Sequence, residues 1–144
     1  MYARAYIEIT TICNRSCSFC PGTARPLRRM SLSEFDTVTD RLRGVTEYLY
    51  YHVMGEPLTH PELPQFIRLA KEKGFKSAIT TNGTLLARQQ ALLLNAPSLH
   101  KVNISLHAFE ANDLAMPFAD YLAGCFAFGQ AAQGEKIVVC RLWN

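Results

Sequence analysis

Five short runs rich in β-branched and aromatic residues alternate with four longer amphipathic runs between residues 5 and 140. That alternation constrains the fold more than any other feature. Tyr6, Ile7 and Ile9 mark a first strand over residues 5–10, and further strands are expected over 47–53, 76–80, 101–106 and 137–140. Ser31 followed by Glu34 is a capping-box pattern, and Phe35, Val38 and Leu42 repeat at helical spacing until Gly44. Pro61, Phe66, Ile67, Leu69 and Ala70, closed by Gly74, give a second helix; residues 85–95 and 118–133 give two more. Strands alternating with helices require crossover connections, which are right-handed and build a parallel sheet. The expected class is α/β, either an open doubly wound sheet or part of a barrel.

At 144 residues the chain is expected to form one domain over residues 1–144, and 49% hydrophobic against 19% charged residues excludes a disordered or fibrous protein. Fifteen Lys and Arg against twelve Asp and Glu leave a net charge of +3, too even a balance for a nucleic-acid surface, so no nucleic-acid partner is expected. The most apolar stretch, residues 114–129, is interrupted by Pro117 and Asp120, and no membrane span is expected. Arg4 is followed by Glu8 rather than by an apolar stretch with a cleavage site, and the expected location is the cytoplasm. Three of the five cysteines fall within eight residues, which suits a reducing compartment and a metal site better than a disulfide framework.

In a parallel array every strand-to-helix turn emerges on one face, beyond the carboxyl ends of the strands, and ligands bind there. On that face the sequence places Cys13, Cys17 and Cys20, then Met54-Gly55-Glu56-Pro57, Thr81-Asn82-Gly83, and Ser105-Leu106-His107. The first connection, residues 12–30, far exceeds the roughly 2–6 residues usual for such a turn, which marks it as functional. Its Cys-x3-Cys-x2-Cys spacing can hold one soft metal centre. Structural zinc takes four ligands, whereas an iron–sulfur cluster on three cysteines keeps one iron open. Free thiols, or zinc completed by His52, His60 or His107, are the plainer alternatives. Glu56 alone could be a solvated turn residue, Asn82-Gly83 is a common turn dipeptide, and Ser105 and His107 suit structural hydrogen bonds equally. Cys125 and Cys140 read as core thiols. Arg25, Arg28 and Arg29 could neutralise an anionic group or merely solvate a loop, and Arg141, just past the last strand, is a candidate for cofactor or substrate contact.

Cys13, Cys17 and Cys20 at the end of the first strand, with aromatic Phe19 before the third cysteine, resemble the signature of radical S-adenosylmethionine enzymes. Gly55-Glu56-Pro57 resembles the Gly-Gly-Glu-Pro turn with which that family contacts the methionine amino group, with Met54 in place of the first glycine. Thr81-Asn82-Gly83 resembles its segment after the third strand, and Ser105 and His107 fall where it places contacts to the cofactor's carboxylate and ribose. The resemblance implies a [4Fe–4S] cluster on the three cysteines, S-adenosylmethionine on the open iron, and reductive cleavage to a 5′-deoxyadenosyl radical that abstracts hydrogen from a substrate of unknown identity. It also implies an electron donor of the flavodoxin or ferredoxin type. A non-catalytic zinc or iron–sulfur module, or an inactive truncated fragment, is the alternative. The family's six-stranded partial barrel implies that this chain is truncated after about five strands, lacking a sixth strand and any C-terminal auxiliary domain. An open edge with Ile137, Val138, Val139, Leu142 and Trp143 uncovered would then favour self-association.

Overall fold

The computed structural model describes residues 1–112 and 114–142. Strands β1 (Ala5–Tyr6), β2 (Tyr48–Tyr50), β3 (Lys76–Thr81), β4 (Leu99–Ser105) and β5 (Ile137–Arg141) alternate with helices α1 (Leu32–Leu42), α2 (Leu63–Glu72), α3 (Leu86–Leu94) and α4 (Phe118–Ala131). Trp143 lies outside the described residues. All neighbouring strands are parallel, in the order β1-β2-β3-β4-β5. Each crossover therefore advances to the next strand in the same direction, which puts the helices on one face and bends the sheet as in a (βα)n barrel. A doubly wound sheet would reverse its strand order. Of the two α/β arrangements open to the sequence, the partial barrel is the one formed.

The two sheet faces differ in chemistry. Leu49, Ile79, Val102 and Ile104 are buried in one core with Phe35, Phe66, Ile67, Leu86 and Phe128 from the helices. Phe35 stacks on Phe66 with ring centres 4.6 Å apart and meets Tyr51 edge-on at 5.5 Å. The other face follows from strand alternation and carries Tyr6, Tyr50, His52, Thr80, Asn103 and Arg141. There the edge of His52 meets Tyr6 at 5.5 Å, and its Nε2 lies 3.2 Å from Thr80 Oγ1. Ser31 and Glu34 form the expected capping box on α1. Lys73, at the end of α2, is pinned with its side chain 5% exposed between Asp36 and Asp40 of α1. No helix among the described residues is long and apolar enough to cross a membrane.

The first strand is shorter than its sequence suggests. Ile7 still donates its N–H to Tyr50 O, but beyond it the chain changes partner. Met30 N donates to Ile9 O at 2.8 Å, Thr11 N donates to Arg28 O at 2.9 Å, and Thr10 and Arg29 form an antiparallel bridge. The extended stretch that reads as strand is thus shared between β2 and the returning end of the cysteine loop. Cys140, expected in the core, is exposed, because β5 is an edge strand that α4 covers incompletely. Cys125 is a core thiol as expected, and burial pushes its pKa up to about 11.

Candidate metal centre and its cleft

The carboxyl ends of β1 to β4 surround a cleft of about 460 Å³ that is lined by all three clustered cysteines and by Phe19, Gly55, Glu56, Thr81, Asn82, Ser105 and His107. A larger hollow of about 620 Å³, bordered by Gly74, Lys76, Pro97 and Lys136, lies at the opposite strand ends and holds no thiol. The convergence expected from sequence is therefore realised for ten of the twelve candidate residues, since Pro57 and Arg141 do not line the cleft.

Cys13, Cys17 and Cys20 are free thiols on the loop after β1, turned by a hydrogen bond from Cys20 N to Cys17 O. Burial raises the pKa of Cys13, and the neighbouring Glu56 carboxylate and the Cys17 and Cys20 sulfurs raise it further. Negative charge on any one of these groups disfavours it on Cys13, a conflict that a bound cationic centre relieves. Among the described residues no three His, Cys, Asp or Glu side chains are gathered tightly enough to hold a single metal ion. The fit to a cluster rests instead on three soft donors on one long loop that open onto a shared cleft. The two nitrogens of His60 are both engaged: Nδ1 accepts from Glu62 N, so Nε2 carries the proton and donates to Met30 O.

The turn after β2 supports this loop through glycine geometry. Gly55 has φ +79°, and a Cβ there would stand 2.3 Å from Thr10 O and 3.0 Å from Ile12 O. Only glycine lets the turn lie against the backbone that launches Cys13, where Glu56 N then donates to Ile12 O at 2.9 Å. Met54, in place of a second glycine, donates its N–H to Glu8 Oε2 at 2.8 Å.

Glu56 is 2% exposed, which excludes the solvated-turn reading. Its Oε1 accepts from Leu58 N at 3.1 Å and its Oε2 from Asn82 N at 2.8 Å. Burial raises its pKa, while the N–H donors of Asn82 and Leu58 and the Thr81 hydroxyl pull it back. Pro57 starts the short 3-10 turn Pro57–Thr59 and is buried behind the cleft, so its part is to shape the turn. Thr81 Oγ1 accepts from Gly83 N, and Asn82 Oδ1 accepts from the Thr84 backbone and hydroxyl. Asn82 Nδ2 donates to Asn14 Oδ1 at 2.9 Å, and Asn14 Nδ2 donates to Thr84 Oγ1 at 3.0 Å, which ties the cysteine loop to the end of β3. His107, on the 3-10 turn Leu106–Ala108 after β4, lies against Phe19 with ring centres 4.7 Å apart.

Arg141 ends β5 opposite Ser105 rather than following the strand, and it is exposed on the open sheet face. Its charge adds to burial in driving the His52 pKa down to about 4, so His52, which lines the cleft, is neutral at physiological pH. The arginine cluster of the cysteine loop is largely committed elsewhere: Arg25 makes a bidentate pair with Glu8, at 2.6 and 3.0 Å, and Arg28 pairs with Glu34. Asn14, Thr80 and Asn112 join the site without any sequence signal, and His52, a zinc-ligand alternative in the sequence, joins it as a cleft-lining side chain. Asn14 occupies a variable position inside the cysteine motif, and the others act only through strand register or a long-range turn.

Comparison with known proteins agrees with this geometry. Residues 7–122 match the Radical SAM superfamily. The chain is 35% identical over 108 residues to GTP 3′,8-cyclase of Chlorobaculum tepidum, covering 72% of this chain and 32% of that protein. It is 32% identical over 110 residues to Fe-coproporphyrin III synthase of Methanosarcina barkeri, covering 74% and 28%. The chain thus spans about a third of the length of these curated relatives. Among solved structures it superposes on BtrN in complex with AdoMet and 2-DOIA with a TM-score of 0.74 at 19% identity, over 98% of this chain and 57% of that one. It also superposes on Streptococcus suis SuiB bound to S-adenosylmethionine, with a TM-score of 0.72 at 16% identity, over 95% and 33%. Three thiols at the first strand end, a glycine-pressed turn at the second and a match across most of the chain lead to one conclusion: this chain belongs to the radical SAM superfamily.

Proposed function

We propose that the chain is the cofactor-binding part of a radical enzyme core, in which Cys13, Cys17 and Cys20 hold a [4Fe–4S] cluster with one iron open to S-adenosylmethionine. The single observation that carries this reading is that all three thiols open onto the same cleft as the polar turns after β2, β3 and β4. When bound, cluster and cofactor together supply a 5′-deoxyadenosyl radical after one-electron reduction, and that radical takes a hydrogen atom from the substrate.

This chain's own residues then bind and orient. Gly55 and Glu56 fix the turn that faces the cofactor's methionine end, Glu56 acting through the backbone N–H groups it anchors. Asn82 holds the β3 turn against the cysteine loop, while Ser105 and His107 offer polar groups on the far side and Phe19 packs edge-on against His107. Thr81 and Pro57 shape the turns behind them. Arg141 and neutral His52 sit on the open sheet face, a place suited to substrate contact. The electron comes from a donor of the flavodoxin or ferredoxin type.

Anaerobic reconstitution tests the reading. About four irons and four sulfides per chain are expected, with 5′-deoxyadenosine released when dithionite and S-adenosylmethionine are added. Cys17→Ala abolishes both. One zinc per chain, or a cluster that ignores the cofactor, supports the structural-module reading instead.

A further inference from the structure

We infer that Asn112 is a positioning residue that donates a hydrogen bond to the Cys17 sulfur and thereby raises the reduction potential of the cluster; this rests on the functional reading above. Asn112 follows the 3-10 turn after β4, 95 residues from Cys17, yet its Nδ2 lies 3.1 Å from Cys17 Sγ. The same nitrogen donates to Ala108 O at 2.7 Å, and Oδ1 accepts from Ser16 N at 3.1 Å. Those two partners settle which end of the amide is which: the backbone N–H of Ser16 needs an acceptor and the Ala108 carbonyl needs a donor. The second N–H of the amide is therefore the group that meets the sulfur. Beside it, Ser18 N donates to Ala111 O at 3.3 Å, so the turn holds the cysteine loop on both sides of Cys17.

An N–H aimed at a cluster thiolate stabilises negative charge, and the reduced cluster carries one more electron than the oxidised one. Such a bond stabilises the reduced state more, and the potential rises. A carboxamide suits this position because it satisfies Ser16, Ala108 and Cys17 at once. Asp can satisfy only Ser16, and it places an anion beside the sulfur.

The test is a redox titration of the reconstituted chain, followed by electron paramagnetic resonance. At the potential that half-reduces the wild-type cluster, Asn112→Asp is expected to lower the ratio of reduced to oxidised cluster about tenfold, equivalent to about 59 mV for a one-electron couple. Asn112→Ala shifts it less in the same direction, and both retain their iron. An unchanged potential in iron-loaded variants would reduce Asn112 to a loop tie and overturn the inference. Should the variants lose iron, the wild-type chain decides: asparagine labelled with 15N in its side chain should give a hyperfine coupling to the reduced cluster, and its absence overturns the inference. A wild-type chain that forms no cluster at all instead sinks the functional reading on which the inference rests.

Discussion

The Glu56 carboxylate accepts the backbone N–H of Asn82 at 2.8 Å, so one buried side chain locks the turn after β2 to the turn after β3. Its other oxygen caps the 3-10 turn at Leu58. A glutamate that the sequence presents as a cofactor contact is, in the fold, the strut between two walls of the cleft. Glu56→Gln keeps the shape but turns an amide N–H toward one of two backbone donors. A loss of about 1–3 kcal/mol is expected, read from the urea midpoint of the metal-free chain, together with weaker S-adenosylmethionine binding in the reconstituted one.

Gly55 and Gly124 make a matched pair. Gly55→Ala forces a side chain into a left-handed backbone 2.3 Å from Thr10 O. It should cost at least about 1–3 kcal/mol from the backbone conformation alone, with the contact adding to that. Gly124 lies inside α4 with nothing within 4 Å of its missing Cβ. Gly124→Ala should gain about 0.5–1 kcal/mol. Equal urea midpoints for the two variants would contradict the geometry assigned to Gly55.

Stability should fall on acidification through His52. Its pKa is about 4 in the fold, below its ordinary value of 6.5, so the unfolded chain binds the proton first. The stabilising contribution is therefore complete above about 6.5 and is lost as the pH drops toward 4. Buried His60 is shifted in the same direction. His52→Asn should flatten part of the decline between pH 7 and pH 4.5 in urea titrations of the metal-free chain. A decline of unchanged steepness would show that His52 is not its source.

Both edges of the sheet are open strands, and Ile137 and Leu142 at the β5 end are 47% and 75% exposed. Unpaired edges and exposed apolar side chains favour association. Light scattering of the 144-residue chain should give a mass above that of a monomer that rises with concentration. A monodisperse monomer would contradict this.

Most of the architecture is legible in the sequence because α/β alternation is a local signal. Capping at Ser31 and Glu34, the stop at Gly74 and the apolar faces of β3 and β4 each point to the element that forms. The candidate site was legible where its residues are marked by spacing, as in the three cysteines, or by strand-end position, as in Glu56 and Asn82, all of which line one cleft. Three things were not. The early end of β1 depends on residues 28–30 returning to pair with residues 9–11, a long-range event. The exposure of Cys140 depends on how far α4 reaches. Asn112 has no motif, because its partner Cys17 is reached only through the turn after β4.

The most direct measurement is electron paramagnetic resonance of the anaerobically reconstituted and reduced chain, with and without S-adenosylmethionine. An open iron facing the cleft predicts a cluster signal whose g-values change when the cofactor is added, and a change that weakens in Glu56→Ala. A chain that binds zinc in place of iron, or a cluster signal indifferent to the cofactor, would contradict the proposed site.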